Sequence, residues 1–181
     1  SILGPDSAIN TGCPTLWGMT EDHCAQIPVK KASRVVFTLT DYAVDRANDQ
    51  NLIDILNRRY DKVYFWPQGT RDMKYFSSLS HTDDICVITP SVQAYGALLK
   101  EGDIDFVGTR LHAGIYAMQH KVRSVILSVD NRAADMAETY NLNVLRRDDP
   151  ALEATLCGDI VTKVSINEQA IAEFKAQFFN T

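Results

Sequence analysis

The chain has 181 residues, 45% of them hydrophobic and 23% charged, which is ordinary globular composition and length enough for one hydrophobic core. Eighteen basic residues against twenty-three acidic ones leave a net charge of -5, which argues against a surface that coats nucleic acid while leaving room for a local basic pocket. No apolar run approaches the length of a membrane span, no secretory leader is visible, and Cys13, Cys24, Cys86 and Cys157 are too scattered for a metal or redox motif, so a reducing cytoplasmic compartment is the simplest expectation.

Residues 1–33 read as an irregular linker segment, because Gly4-Pro5, Gly12, Pro14, Gly18 and Pro28 break any period. From Arg34 the chain alternates. Arg34–Leu39 is β-branched and apolar, a buried strand; Leu52, Ile55 and Leu56 mark a helix ending near Tyr60. Lys62–Trp66 is a second strand stopped by Pro67, and Asp84–Thr89 a third, with Cys86 expected as a buried thiol. Val92, Tyr95 and Leu99 stripe the next helix. Asp105–Thr109, Ser124–Val129 and Asn143–Arg146 supply three more strands, and Ala133, Met136, Ala137 and Tyr140 give a helical face between the last two. Ser165-Ile166-Asn167-Glu168 reads as a capping box ahead of a final helix striped by Ile171, Phe174 and Phe178.

Strands separated by ten to fifteen helical residues imply βαβ crossovers. The expected fold class is therefore α/β, a doubly wound, mostly parallel sheet with helices on both faces, Rossmann-like, over residues 34–181. Ligands of such sheets sit beyond the carboxyl ends of the strands at a topological switch point. Four strand ends fall on that edge: Thr40-Asp41-Tyr42, Gln68-Gly69-Thr70-Arg71, Thr109-Arg110-Leu111-His112 and Asp130-Asn131-Arg132.

The third strand end holds the densest chemistry. Asp105–Thr109 runs into a turn that delivers Arg110 and His112 at the first turn of a helix marked by Leu111, Ile115 and Met118. Such a turn presents free N–H groups and the positive end of a helix dipole, a ready anion site. Arg110 adds a guanidinium suited to bidentate grip, and His112 an imidazole suited to proton transfer.

Gly108-Thr109-Arg110-Leu111-His112-Ala113-Gly114, an apolar strand, then Asp130-Asn131-Arg132 resemble the signature of the polysaccharide pyruvyl transferase family. Upstream, Asn10–Gly18 is similar to the segment that opens the second half of that family, so the match runs from about Asn10 to about Leu142. The resemblance implies one lobe of a two-lobed, glycosyltransferase-B-like enzyme. It also implies transfer of a pyruvyl group from phosphoenolpyruvate to a sugar of a surface polysaccharide or its precursor, as a ketal. Since the chain does not begin with Met, the amino-terminal lobe is expected to be missing, and the isolated piece to be inactive. The family pattern tends to lysine where this chain has Arg132, which keeps the charge and changes the geometry.

On this reading His112 and Arg110 are the catalytic candidates, with Thr109, Arg110, Asp130, Asn131, Arg132 and Asp41 binding substrate. Asp41 could instead cap a helix, Asp130 could orient an arginine or cap the helix after it, and Asp45 is a third plausible carboxylate. Trp17 and Tyr42 could stack on a sugar or be buried. His23, His81 and His120 read as bystanders. No metal and no cofactor is expected; phosphoenolpyruvate is the donor substrate. The partners are that donor and a sugar acceptor, lipid- or nucleotide-linked, with no nucleic acid and no membrane span, and a homo-oligomer stays open. The expected location is cytoplasmic, with the inner face of the membrane as a peripheral alternative. Two other readings remain: a glycosyltransferase of the same architecture whose arginines hold a nucleotide-sugar diphosphate, and a non-catalytic anion- or glycan-binding module.

Overall fold

Six short parallel strands carry the architecture. β1 (Arg34–Thr38), β2 (Lys62–Phe65), β3 (Cys86–Val87), β4 (Ile104–Gly108), β5 (Ser124–Ser128) and β6 (Val144–Arg146) form one sheet in the order β3-β2-β1-β4-β5-β6. The computed structural model describes residues 8–179; Gly4 and Pro5 lie outside the described residues. Between and around the strands lie α1 (Glu21–Cys24), α2 (Arg46–Arg59), α3 (Thr70–Phe76), α4 (Val92–Lys100), α5 (Leu111–Gln119), α6 (Asn131–Tyr140), α7 (Leu152–Cys157) and α8 (Glu168–Phe179).

The central strands are apolar on both faces because both faces are covered. Val36, Phe106 and Ile126 point to one side, where they meet Tyr95, Leu98 and Leu99 of α4 and Ile115 and Met118 of α5. Val35, Phe37, Val107, Val125 and Leu127 point to the other, against Leu52, Ile53, Ile55 and Leu56 of α2, Phe76 of α3 and Leu156 of α7. The chain winds outward from β1 in one direction and from β4 in the other. Their carboxyl ends therefore diverge into the crevice that doubly wound sheets use for ligands.

Two local features depart from the sequence reading. Cys86 is exposed, not buried, because β3 is a two-residue edge strand with no neighbour beyond it. Asn167, not Ser165, caps α8: its Oδ1 accepts the Ala170 N–H at 3.0 Å, while the Ser165 N–H is spent on Tyr140 O. The described part of residues 1–33 is irregular apart from α1 and a 3₁₀ turn at Pro14–Leu16, and it buries Leu16, Met19, Cys24 and Ile27 in the same core as α5. Among the described residues no helix is long and apolar enough to cross a membrane.

Candidate functional site

All four strand ends meet at the carboxyl edge of the sheet, and β4–α5 sets the geometry. Gly108 pairs with Thr38 across the β1–β4 ladder, where a Cβ would strike the Thr38 side chain and backbone, so only glycine permits that approach. Thr109 is buried, with its N–H on Thr38 O at 3.1 Å and its Oγ1 on the same carbonyl at 3.4 Å. Arg110 then occupies the N-cap of α5 in an extended conformation, and its side chain makes no capping bond. That leaves the helix N-terminus open. His112 follows in the first turn, exposed and bound to no protein group among the described residues.

Arg110 is held from three sides. Its Nη2 meets Asp72 Oδ1 at 2.5 Å and Asp41 Oδ1 at 3.3 Å, and its Nε reaches Leu39 O at 3.4 Å. Asp72, 2% exposed, sits in the first turn of α3, where its Oδ2 also takes the Gln68 N–H at 3.0 Å. Asp41 caps no helix among the described residues; its second oxygen pairs with Arg71 Nε at 2.8 Å. The bidentate fork expected of Arg110 is thus committed within the protein, and Nη1 is its donor without a partner among the described residues.

Asp130 does both tasks weighed for it. It caps α6 by accepting the Arg132 N–H at 3.1 Å, and it grips the Arg132 guanidinium through Nη2 at 2.6 Å and Nε at 3.0 Å. That pairing holds the Asp130 carboxyl below the usual carboxylate range and raises the arginine. Tyr42, exposed, ties the two arginines together: its ring lies 5.4 Å from the Arg110 guanidinium, and its hydroxyl accepts from Arg132 Nη2 at 3.1 Å. Asn131 opens α6 on the far side of Asp130 and faces a neighbouring cavity.

These groups enclose a pocket of about 190 Å³ walled by Tyr42, Arg110, His112, Asp130 and Arg132. The arginines and carboxylates around it balance, with Arg71, Arg110 and Arg132 against Asp41, Asp72 and Asp130. An anion there could meet an open helix end and His112, and Arg110 Nη1 and Arg132 Nη1 have no partner among the described residues, so the pocket offers donors rather than surplus cationic charge. Asp72 is the residue that sequence reasoning missed, although the strand-end motif stopped one position short of it. The remaining candidates lie elsewhere. Asp45 caps α2 through the Asn48 N–H. Trp17 is half-buried against Phe174 at 5.5 Å, with its indole N–H on Thr11 O. His23, His81 and His120 are engaged by Met118 O, Asp54 and Tyr116 O respectively. Among the described residues no cluster of His, Cys, Asp or Glu could hold a metal ion.

Fold and crevice together define a Rossmann-like α/β lobe with a mixed-charge, histidine-bearing site at its switch point. No family model matches the chain, and no curated protein does. Among solved structures it is similar to the UDP-GlcNAc 2-epimerase of Methanocaldococcus jannaschii in complex with UDP-GlcNAc and UDP, with a TM-score of 0.53 and 11% identity. The alignment covers 92% of this chain and 50% of that one, so the chain spans half the length of that enzyme, consistent with one lobe of a glycosyltransferase-B-like architecture. At that identity the likeness is one of fold.

Proposed function

We propose that this lobe serves a pyruvyl transferase that moves the enolpyruvyl unit of phosphoenolpyruvate onto a sugar as a ketal. The observation that carries the reading is His112, unengaged at the open end of α5, in one pocket with Arg110 and Arg132. In the reaction a sugar hydroxyl oxygen bonds to C2 of the enolpyruvyl group and gives up its proton while C3 takes one. The bond from C2 to the phosphate oxygen then breaks, a second hydroxyl oxygen bonds to C2 to close the ketal, and its proton leaves with the phosphate. On this reading His112 would deliver the proton to C3. The α5 N-terminus and the Nη1 atoms of Arg110 and Arg132 would hold the carboxylate and phosphate.

A second reading is favoured by the fold likeness to an enzyme solved with UDP-GlcNAc and UDP: the same donors would hold a nucleotide-sugar diphosphate. Thermal-shift titration with phosphoenolpyruvate and with UDP separates the two, because only a ligand of the folded state raises the midpoint. Phosphate release from phosphoenolpyruvate with a panel of sugars tests the chemistry. Stabilisation by phosphoenolpyruvate and sugar-dependent phosphate release are expected. Stabilisation by UDP alone, with no phosphate released, would replace the first reading by the second.

A further inference from the structure

The two carboxylates that hold Arg110 come from different elements. Asp72 belongs to α3. Asp41 belongs to residues 40–44, the segment that leads from β1 to α2 and lays Tyr42 against both Arg110 and Arg132. Little fixes that segment. Among the described residues its main chain makes a single hydrogen bond, in which Arg147 Nη1 donates to Ala43 O at 2.6 Å. Its tip is exposed, with Tyr42 at 54% and Val44 at 55%. Residues 40–44 are thus a strap along the pocket wall, pinned from outside the pocket.

The pin is itself buried. Arg147 follows β6 and is 8% exposed. The same Nη1 that holds Ala43 O lies 3.5 Å from Asp49 Oδ2 on α2, and Asp49 is 1% exposed. That Asp49 oxygen also accepts from Tyr75 OH at 2.5 Å, and Tyr75 sits on α3 three residues beyond Asp72. One buried guanidinium therefore reaches both elements that supply carboxylates to Arg110. It touches the strap directly, and α3 through Asp49 and Tyr75. Stability alone does not call for a cation there, since replacing a buried ion pair with neutral side chains is often neutral for folding. An arginine that spends its shortest hydrogen bond on a loop carbonyl suits the positioning of that loop better than the holding of the core.

We propose that Arg147 is a positioning residue of the anion site: it pins the strap and orients α3, and so fixes Asp41, Asp72 and Tyr42 around the two arginines. That role rests on the pocket binding an anion, though not on which anion fills it. With the pin in place, the conformational entropy of the strap is lost on folding. With the pin removed, part of it must be lost on binding instead, and affinity falls. His112 is carried by α5, to which Arg147 makes no hydrogen bond among the described residues, so the chemical step is spared.

Two variants remove the pin. Arg147→Met takes away the donor, and Arg147→Met with Asp49→Asn does so without stranding a buried carboxylate, while the Asn keeps an acceptor for Tyr75. Arg147→Lys is the rescue: both contacts leave from one nitrogen, so a single ammonium can supply them. Chymotrypsin reads the strap. Cleavage after Tyr42 reports local opening, and cleavage after Phe106, buried in β4, reports global unfolding, so the ratio of the two rates separates a loosened strap from a destabilised fold. The ratio should rise about tenfold in both methionine variants and return toward the parental value in Arg147→Lys. Calorimetric titration with phosphoenolpyruvate and with UDP should show the affinity for whichever binds the parent falling about tenfold in the same two variants. In phosphate release the KM for phosphoenolpyruvate should rise while kcat stays within severalfold of the parent. An unchanged ratio in the double variant, an opened strap with parental affinity, or no rescue by lysine overturns the role of Arg147 and leaves pyruvyl transfer standing. If the parent binds neither phosphoenolpyruvate nor UDP, the anion site and pyruvyl transfer fall, and the cleavage ratio alone decides whether Arg147 pins the strap.

Discussion

His112 can be tested cleanly because the fold does not use it. Its ring is exposed and bears no structural hydrogen bond among the described residues, so His112→Ala should leave the melting temperature near that of the parent. Turnover in the phosphate-release assay should fall by roughly 10²–10⁴-fold, the ordinary worth of general acid–base help, while phosphoenolpyruvate affinity changes only severalfold. A folded variant with parental turnover would strip His112 of its role. Asp130 offers the opposite experiment. Its carboxylate neutralises Arg132 and caps α6, and the two duties separate by substitution. Asp130→Asn keeps an N-cap acceptor and releases the guanidinium, so affinity for phosphoenolpyruvate should rise. Asp130→Ala removes the cap as well and should cost about 1 kcal/mol of stability by denaturant titration. The sign with pH follows from the depressed carboxyl. The Asp130 contribution is fully present above the ordinary aspartate value and is lost as pH falls through the lower folded value, so parent and Asp130→Ala should converge in acid. Weaker binding by Asp130→Asn would mean that the carboxylate orients Arg132 more than it quenches it.

The β4–α5 unit explains why the glycines of the strand-end motif sit where they do. Gly114 lies where α5 rests on the sheet, and a Cβ there would come within 2.6 Å of Ile126 Cγ1 and 2.9 Å of Phe106 Cε1. Gly114→Ala should therefore overpack the interface by about 1–3 kcal/mol and lower the melting temperature by roughly 2–12 °C. Because it also tilts the helix that carries His112, turnover should fall further than phosphoenolpyruvate affinity. Unchanged melting and turnover would show that α5 can slide at no cost. Elements such as β1, β4 and β5 were legible in the sequence because a strand buried on both faces is an unbroken apolar run. β3 was legible only in position: its length and the exposure of Cys86 depend on its being the sheet edge, a property of strand order that no local pattern encodes. The α8 cap shifted from Ser165 to Asn167 because the Ser165 N–H is claimed by Tyr140, 25 positions earlier in the chain, outside any capping window. Arg110 and His112 could be read from a strand-to-helix turn. Their relation to Asp72 could not, since a buried carboxylate from α3 reaches Arg110 only once β1, β2 and β4 are side by side.

The sheet has two poles with different duties. At the carboxyl pole the ion pairs around Arg110 and Arg132 border a pocket; at the amino pole a buried network locks the layers together. There Arg123, 1% exposed, donates from Nη1 to Asp105 Oδ2 at 2.5 Å and from Nη2 to Leu156 O at 2.8 Å and Gly158 O at 2.7 Å. The same Asp105 oxygen accepts from Tyr60 OH at 2.8 Å. One guanidinium thus joins β4, β5 and the carboxyl end of α7, where cationic donors are favoured. Removing it strands a buried carboxylate, so Arg123→Ala should cost about 3–5 kcal/mol in denaturant titration. Burial already raises the Asp105 carboxyl above its usual range, and losing its cationic partner raises it further. An acid raised in the folded state takes up protons more readily there than in the unfolded chain. Its penalty is therefore complete above the folded value and shrinks as pH falls through it toward the unfolded value, so the deficit of Arg123→Ala should be smaller in mildly acidic buffer than in alkaline buffer. Phosphoenolpyruvate affinity, measured where the variant is still folded, should stay at the parental value because the network touches no group of the ligand pocket. A large affinity loss with little change in unfolding free energy would reverse the assignment of the two poles.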